Sequence, residues 1–184
     1  RLHQGGVVIN SLVAANSARL VGGGIYAQDG GRIVNCTVAA NTATNIGGIF
    51  FRDWGGSYDL EVVNSIAYDN ANGNNNGGVY TYTCSTPVPA GEGNITNAPL
   101  FVAGLSNDFR LASTSPCIDQ GTNLPWLVNE TDLDNSPRVM YGRVDMGAYE
   151  AYQWLRLSVA SDRPDSGVAI ACAPSDTNGT AHAT

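Results

Sequence analysis

Lysine is absent from this chain, and all nine basic residues are arginine. Sixteen acidic residues leave a formal net charge of -7. A nucleic-acid partner would want a basic stripe, so that class is excluded. No apolar run approaches the ~18 residues of a membrane-spanning helix. Only two histidines are present, His3 and His182, one near each end. Neither a Gly-x-Ser-x-Gly elbow nor a phosphate loop occurs, so nucleophilic catalysis finds no support. Gly22-Gly23-Gly24 precedes an extended stretch rather than a helix and reads as a turn. The four cysteines, Cys36, Cys84, Cys117 and Cys172, show no metal-ligand spacing. Helix formers are scarce, while Gly (22 residues) and Asn are abundant, a turn-rich β composition. No signal peptide opens the chain, which starts inside what reads as a repeat, so a fragment of a larger protein is expected.

What the chain does have is a repeat. Ile9-Asn10-Ser11-Leu12-Val13-Ala14-Ala15-Asn16, Val34-Asn35-Cys36-Thr37-Val38-Ala39-Ala40-Asn41 and Val63-Asn64-Ser65-Ile66-Ala67-Tyr68-Asp69-Asn70 are copies of one pattern. Each is followed by a second motif: Gly24-Ile25-Tyr26, Gly48-Ile49-Phe50 and Gly78-Val79-Tyr80. Repeats of this length, built of short apolar runs and glycine turns, predict a solenoid. Alternation predicts strands with Ile9, Ser11, Val13, then Val34, Cys36, Val38, then Val63, Ser65, Ala67 facing inward. Leu12, Ala14, Thr37, Ala39, Ile66 and Tyr68 would face outward. Strands recurring in one direction without crossover helices must pair in parallel, which predicts an all-β parallel β-helix over residues 1–83. Asn at coil corners is expected to stack in ladders, Asn10-Asn35-Asn64 and Asn16-Asn41-Asn70. Residues 72–78 read as a longer loop.

After Thr83 the repeat stops. An open solenoid end is a row of unpaired strand edges, so residues 84–150 are expected to cap it. Residues 151–184 hold two apolar runs around a turn and read as the opening strands of an incomplete β domain. Several strings of the middle segment are distinctive in order: Cys84-Ser85-Thr86-Pro87, Pro99-Leu100-Phe101-Val102, Ser115-Pro116-Cys117-Ile118-Asp119-Gln120-Gly121, Asp132-Leu133-Asp134-Asn135-Ser136-Pro137-Arg138 and Gly142-Arg143-Val144-Asp145-Met146-Gly147-Ala148-Tyr149-Glu150. Together they resemble the end of bacterial right-handed parallel β-helix proteins of the "choice-of-anchor Q" type, across residues 5–150. That resemblance implies a right-handed coil and a secreted or surface-anchored protein, and it implies no particular activity. Asn135 stands where that family usually has glycine.

Four sets of residues are candidates for chemistry. Tyr26, Phe50 and Tyr80 would form an outward aromatic stack if the neighbouring aliphatics point in. Such a face suits sugar rings, and the bland alternative is a ladder that only stabilises the coils. Asp29 and Asp53, with Arg52 beside them, would sit one coil apart, an arrangement that β-helix polysaccharide lyases use for Ca²⁺ and a basic catalyst. Turn aspartates are also common for backbone reasons alone. Asp132, Asp134 and Asn135 open like a Ca²⁺ loop, but position six is Pro137 and position twelve is Arg143, so the pattern fails. There Arg138 and Arg143 are expected to pair with Asp119, Asp145 or Glu150. Cys84 and Cys117 are the candidate disulfide, while Cys36 replaces the Ser of the other copies and reads as a small inward residue.

These readings favour a non-catalytic structural or adhesive module of a secreted or cell-surface protein, with a polysaccharide or another surface protein as partner. The competing class is a polysaccharide lyase or hydrolase. No catalytic residue and no cofactor is expected, Ca²⁺ being the one ion the acidic residues leave open.

Overall fold

The computed structural model describes residues 1–3, 5–53, 55 and 59–152. The expected strands of residues 151–184, with Cys172 and His182, lie outside the described residues save for 151 and 152. Eleven short strands build the repeat region: β1 (Leu2–His3), β2 (Val7–Ile9), β3 (Leu12–Ala14), β4 (Ile25–Gln28), β5 (Gly31–Val34), β6 (Thr37–Ala39), β7 (Ile49–Arg52), β8 (Leu60–Val63), β9 (Ile66–Tyr68), β10 (Val79–Thr81) and β11 (Cys84–Ser85). Every pairing among them is parallel. They form three stacks, β1-β4-β7, β2-β5-β8-β10 and β3-β6-β9-β11, so each of the first three coils contributes one strand to each sheet and the last adds β10 and β11 to two of them. This is the strand arrangement of a parallel β-solenoid. An antiparallel pair, β12 (Phe101–Ala103) and β13 (Asp108–Leu111), follows, and the only helical turns among the described residues are 3-10 pieces at Gly104–Ser106 and Pro125–Asn129.

The Asn-x5-Asn segments do not run as single strands. Asn10, Asn35 and Asn64 adopt left-handed backbone (φ 46, 51 and 49) and turn the chain from one sheet into the next. Asn tolerates that conformation and bonds its surroundings there. The corner resets the alternation. Ile33 and Val62, one residue before the expected positions, join the central core with Cys36, Val38 and Ala67. Val34 and Val63 are buried outside that core, and Ile9 is exposed. The expected inward facing is therefore corrected for the three residues before the corner and holds after it.

The second asparagine column is a continuous ladder. Asn16 donates to Asn41 Oδ1 through its backbone and side-chain amides, and Asn41 does the same to Asn70 Oδ1. Asn70 repeats the pattern onto Asn74 Oδ1, so the presumed loop supplies a fourth rung. Left-handed backbone falls one residue earlier, at Ala15, Ala40 and Asp69. The first column stops sooner. Asn35 donates to Asn10 (3.0 Å), but Asn64 exchanges two hydrogen bonds with Thr122 of the later segment instead. Glycine before the aromatic motif has a steric reason. A Cβ at Gly48 would lie 2.2 Å from the Asn74 carbonyl of the next coil.

Residues 86–97 follow β11, with Ile95 bridging Cys84 in parallel and Asn94 holding the Thr83 amide and the Tyr80 carbonyl. Residues 98–150 run along the flank of the coils. Their backbone meets Asn64 at Thr122 and Gly147, Thr37 at Ala148 and Asn10 at Thr131. A second core forms in this seam from Ile66, Cys84, Leu111, Cys117 and Met146. The covered seam explains why the outward set, Ile66 and Tyr68 among it, is so apolar.

Candidate functional site

The outward face of the β1-β4-β7 sheet carries most of the candidate residues. Ile25, Ala27 and Ile49 point into the core with Phe51 packed against it, which turns Tyr26, Gln28, Phe50 and Arg52 outward. The register sets Tyr26 beside Phe50 and Gln28 beside Arg52. The two rings stack with centroids 5.6 Å apart and planes inclined by 26°. On the other side of Tyr26 the Arg1 guanidinium sits over the ring, 5.4 Å from its centroid. Arg1 also donates to Gln28, whose amide donates to Asp29 Oδ2 at 3.3 Å. In the fourth coil Asn76 follows Phe50 and replaces a strand partner, accepting from the Phe51 amide and donating to its carbonyl.

The column thus reads Arg1, Tyr26, Phe50, Asn76. Both faces of the Tyr26 ring are occupied along the coil axis, so the stack presents ring edges to solvent. Tyr80 is not part of it. It pairs with Val62 in a different sheet, is 1% exposed and belongs to the central core. Burial pushes its phenol well above the ordinary range, and its hydroxyl has no hydrogen-bond partner among the described residues. The cause of this correction is a short turn. The chain from Asn70 to Asn75 is three residues shorter than the equivalent stretch from Asn41 to Ile49, and the step on to Val79, beside Glu61, takes four residues where Ile49 to Glu61 takes twelve, so the third motif arrives one sheet late.

Asp29 and Asp53 do follow matched positions on neighbouring coils, and each has a local backbone role. Asp29 takes left-handed backbone and its amide donates to the Arg52 carbonyl at 3.1 Å. Asp53 Oδ1 accepts from the Gly55 amide at 2.8 Å, closing an Asx turn. Arg52 is exposed at the edge of the same face. Among the described residues no group of three or more His, Cys, Asp or Glu is placed to hold a metal ion.

A charged cluster is buried in the flank. Arg138 is fully enclosed, donates to the Gly147 carbonyl (2.9 Å) and pairs with Glu150 at 3.3 Å. Its Nε and Nη1 have no hydrogen-bond partner among the described residues. Asp132 accepts from the amides of Asp134, Ser136 and Glu150, and Asp145 from those of Asp119 and Ala151. Burial raises Asp145 to about 6 and Glu150 to about 9, against the pull of Arg138. Desolvation lowers Arg138 in turn. The expected Arg138–Glu150 pair is therefore present. Arg143 instead donates to the Gly121 carbonyl and lies over the Tyr82 ring. Asp132, read from sequence as a failed Ca²⁺ loop, spends its carboxylate on backbone amides.

Cys84 and Cys117 are buried free thiols brought into the same core, where Cys84 Sγ donates to the Asn97 carbonyl at 3.2 Å. Cys36 faces the central core, as its alignment with Ser11 and Ser65 suggested.

Sequence reasoning missed Arg1, Gln28 and Asn76. Arg1 and Gln28 carry no repeat signature, and Asn76 was hidden in a low-complexity run. The chain matches no protein-family model, no curated protein and no solved structure. No described helix is long and apolar enough to cross a membrane.

Proposed function

We propose that this chain is a non-catalytic structural or adhesive module of a secreted or cell-surface protein, built as a right-handed parallel β-helix. The right hand rests on the general handedness of parallel crossovers and on the resemblance of residues 5–150 to surface-anchored β-helix proteins. The observation that carries the functional reading is the Arg1-Tyr26-Phe50 column. Its aromatic surface is spent on coil-to-coil stacking, and the neighbouring carboxylates are engaged by local amides, so the groups most suited to chemistry serve the scaffold. The surface this face offers a partner is a rim of ring edges, with exposed Arg52 at its edge. A polysaccharide or another surface protein would be held there by hydrogen bonds and charge rather than by ring stacking.

Incubation of the chain with neutral and acidic polysaccharides, with and without Ca²⁺, tests this. The expected outcome is retention on a matrix without chain cleavage, weakened several-fold by Arg52→Ala and unchanged by Tyr26→Phe. Release of unsaturated or newly reducing sugar ends would overturn the non-catalytic reading in favour of a lyase or hydrolase.

A further inference from the structure

Cys84 and Cys117 come from parts of the chain with different jobs. Cys84 opens β11, the last strand of its stack, paired with Ile66. Cys117 lies in the flank, where its carbonyl accepts from the Met146 amide at 3.0 Å and its own amide donates to Ser115 Oγ at 3.1 Å. Ser115 in turn donates to the Pro99 carbonyl, so the Cys117 backbone is held from both sides. Both thiols are fully buried and share the seam core with Ile66, Leu111 and Met146. Cys36 has no access to either. It sits in the other core, donating to the Val34 carbonyl at 3.1 Å. The fold therefore selects one pair among its described cysteines.

We propose that Cys84 and Cys117 are a disulfide site that clamps the flank onto the last coil, with a small-molecule disulfide such as oxidised glutathione as the oxidant. One cysteine thiolate attacks the glutathione disulfide, forming a protein–glutathione mixed disulfide and releasing one glutathione. The second cysteine attacks the protein sulfur of that intermediate, forming the Cys84–Cys117 bond and releasing the second glutathione. The two thiol protons end on the two glutathione thiols, which carry away both electrons. The neighbouring Cys84 thiol, and then burial, raise the thiol of Cys117, so exchange belongs to the stage of folding before the seam closes.

The test is refolding of the full chain from guanidinium into a buffer of mixed reduced and oxidised glutathione. Remaining thiols are then alkylated under denaturing conditions and the peptides mapped. The expected result is a linked Cys84–Cys117 peptide in most molecules, with Cys36 alkylated. The melting temperature should fall by roughly 5–10 °C on reduction, a drop lost in the Cys84→Ser/Cys117→Ser double variant. Alkylation of both Cys84 and Cys117, linkage of either to another cysteine, or melting that ignores reduction would each overturn the proposal. Because the peptide map uses the unaltered chain, it decides the matter even if the double variant fails to fold.

Discussion

Asn70 is the residue on which the longest polar column turns. Its Oδ1 satisfies two donors of Asn41, and its amide reaches the Val38 and Tyr68 carbonyls and Asn74 Oδ1. Replacing it with alanine strands buried donors and acceptors on both neighbouring coils, each costing about 1–3 kcal/mol. Asn70→Ala is expected to lose about 2–4 kcal/mol in urea denaturation. Asn16→Ala, at the exposed end of the same column, should lose under about 1 kcal/mol. Equal losses would mean that the ladder contributes nothing beyond its local turns. The asparagine spacing made this column legible in sequence. The break at Asn64 was not legible, because the partner that replaces Asn35 is Thr122, 58 residues away with no repeat to mark it. Tyr80 was misplaced for a related reason. Motif spacing reports order along the chain, and shortened connections move a motif to another sheet without altering its letters.

At the scale of elements, strand pairing followed from period and direction, but facing did not. A left-handed corner inside each repeat resets the alternation, and asparagine announces the corner only once its backbone is known. The flank shows the converse. Its charged residues were visible as candidate partners, while their burial was not, because burial depends on which surface the segment covers. That burial has a pH consequence. Glu150 and Asp145 titrate higher folded than unfolded, so the folded state binds more protons between about pH 4 and 9. Their contribution is fully present in acid and declines as pH rises through that window. Thermal melting should therefore fall from about pH 5.5 to about pH 8, by an amount on the order of 2 kcal/mol for Glu150. Glu150→Gln removes that group's titration and should give a visibly flatter profile. A Glu150→Gln profile parallel to that of the unaltered chain would show that Glu150 is already ionised in the fold at pH 5.5, held by Arg138.

For the molecule as a whole, the flank changes how coils communicate. A solenoid alone couples each repeat only to its neighbours. Here one stretch of chain bonds Asn10, Thr37 and Asn64 in three successive coils. Thr37→Val would leave the Ala148 amide without its acceptor at a cost of about 1–2 kcal/mol. Hydrogen exchange should then speed up across β3, β6, β9 and the 117–148 segment together. Faster exchange confined to β6 would show that the coils still open one at a time.

The same seam sets a copy number. Solenoids gain and lose repeats easily, because an added coil meets the same surface as the one it displaces. Beneath this flank that freedom ends. An extra coil between Asn10 and Asn64 would slide each attachment point by about 4.8 Å, further than a hydrogen bond can stretch. Duplication or deletion of a repeat inside the clasped region is thus incompatible with an unchanged flank. Any growth of this chain's lineage by whole coils must take place outside the span from Asn10 to Asn64.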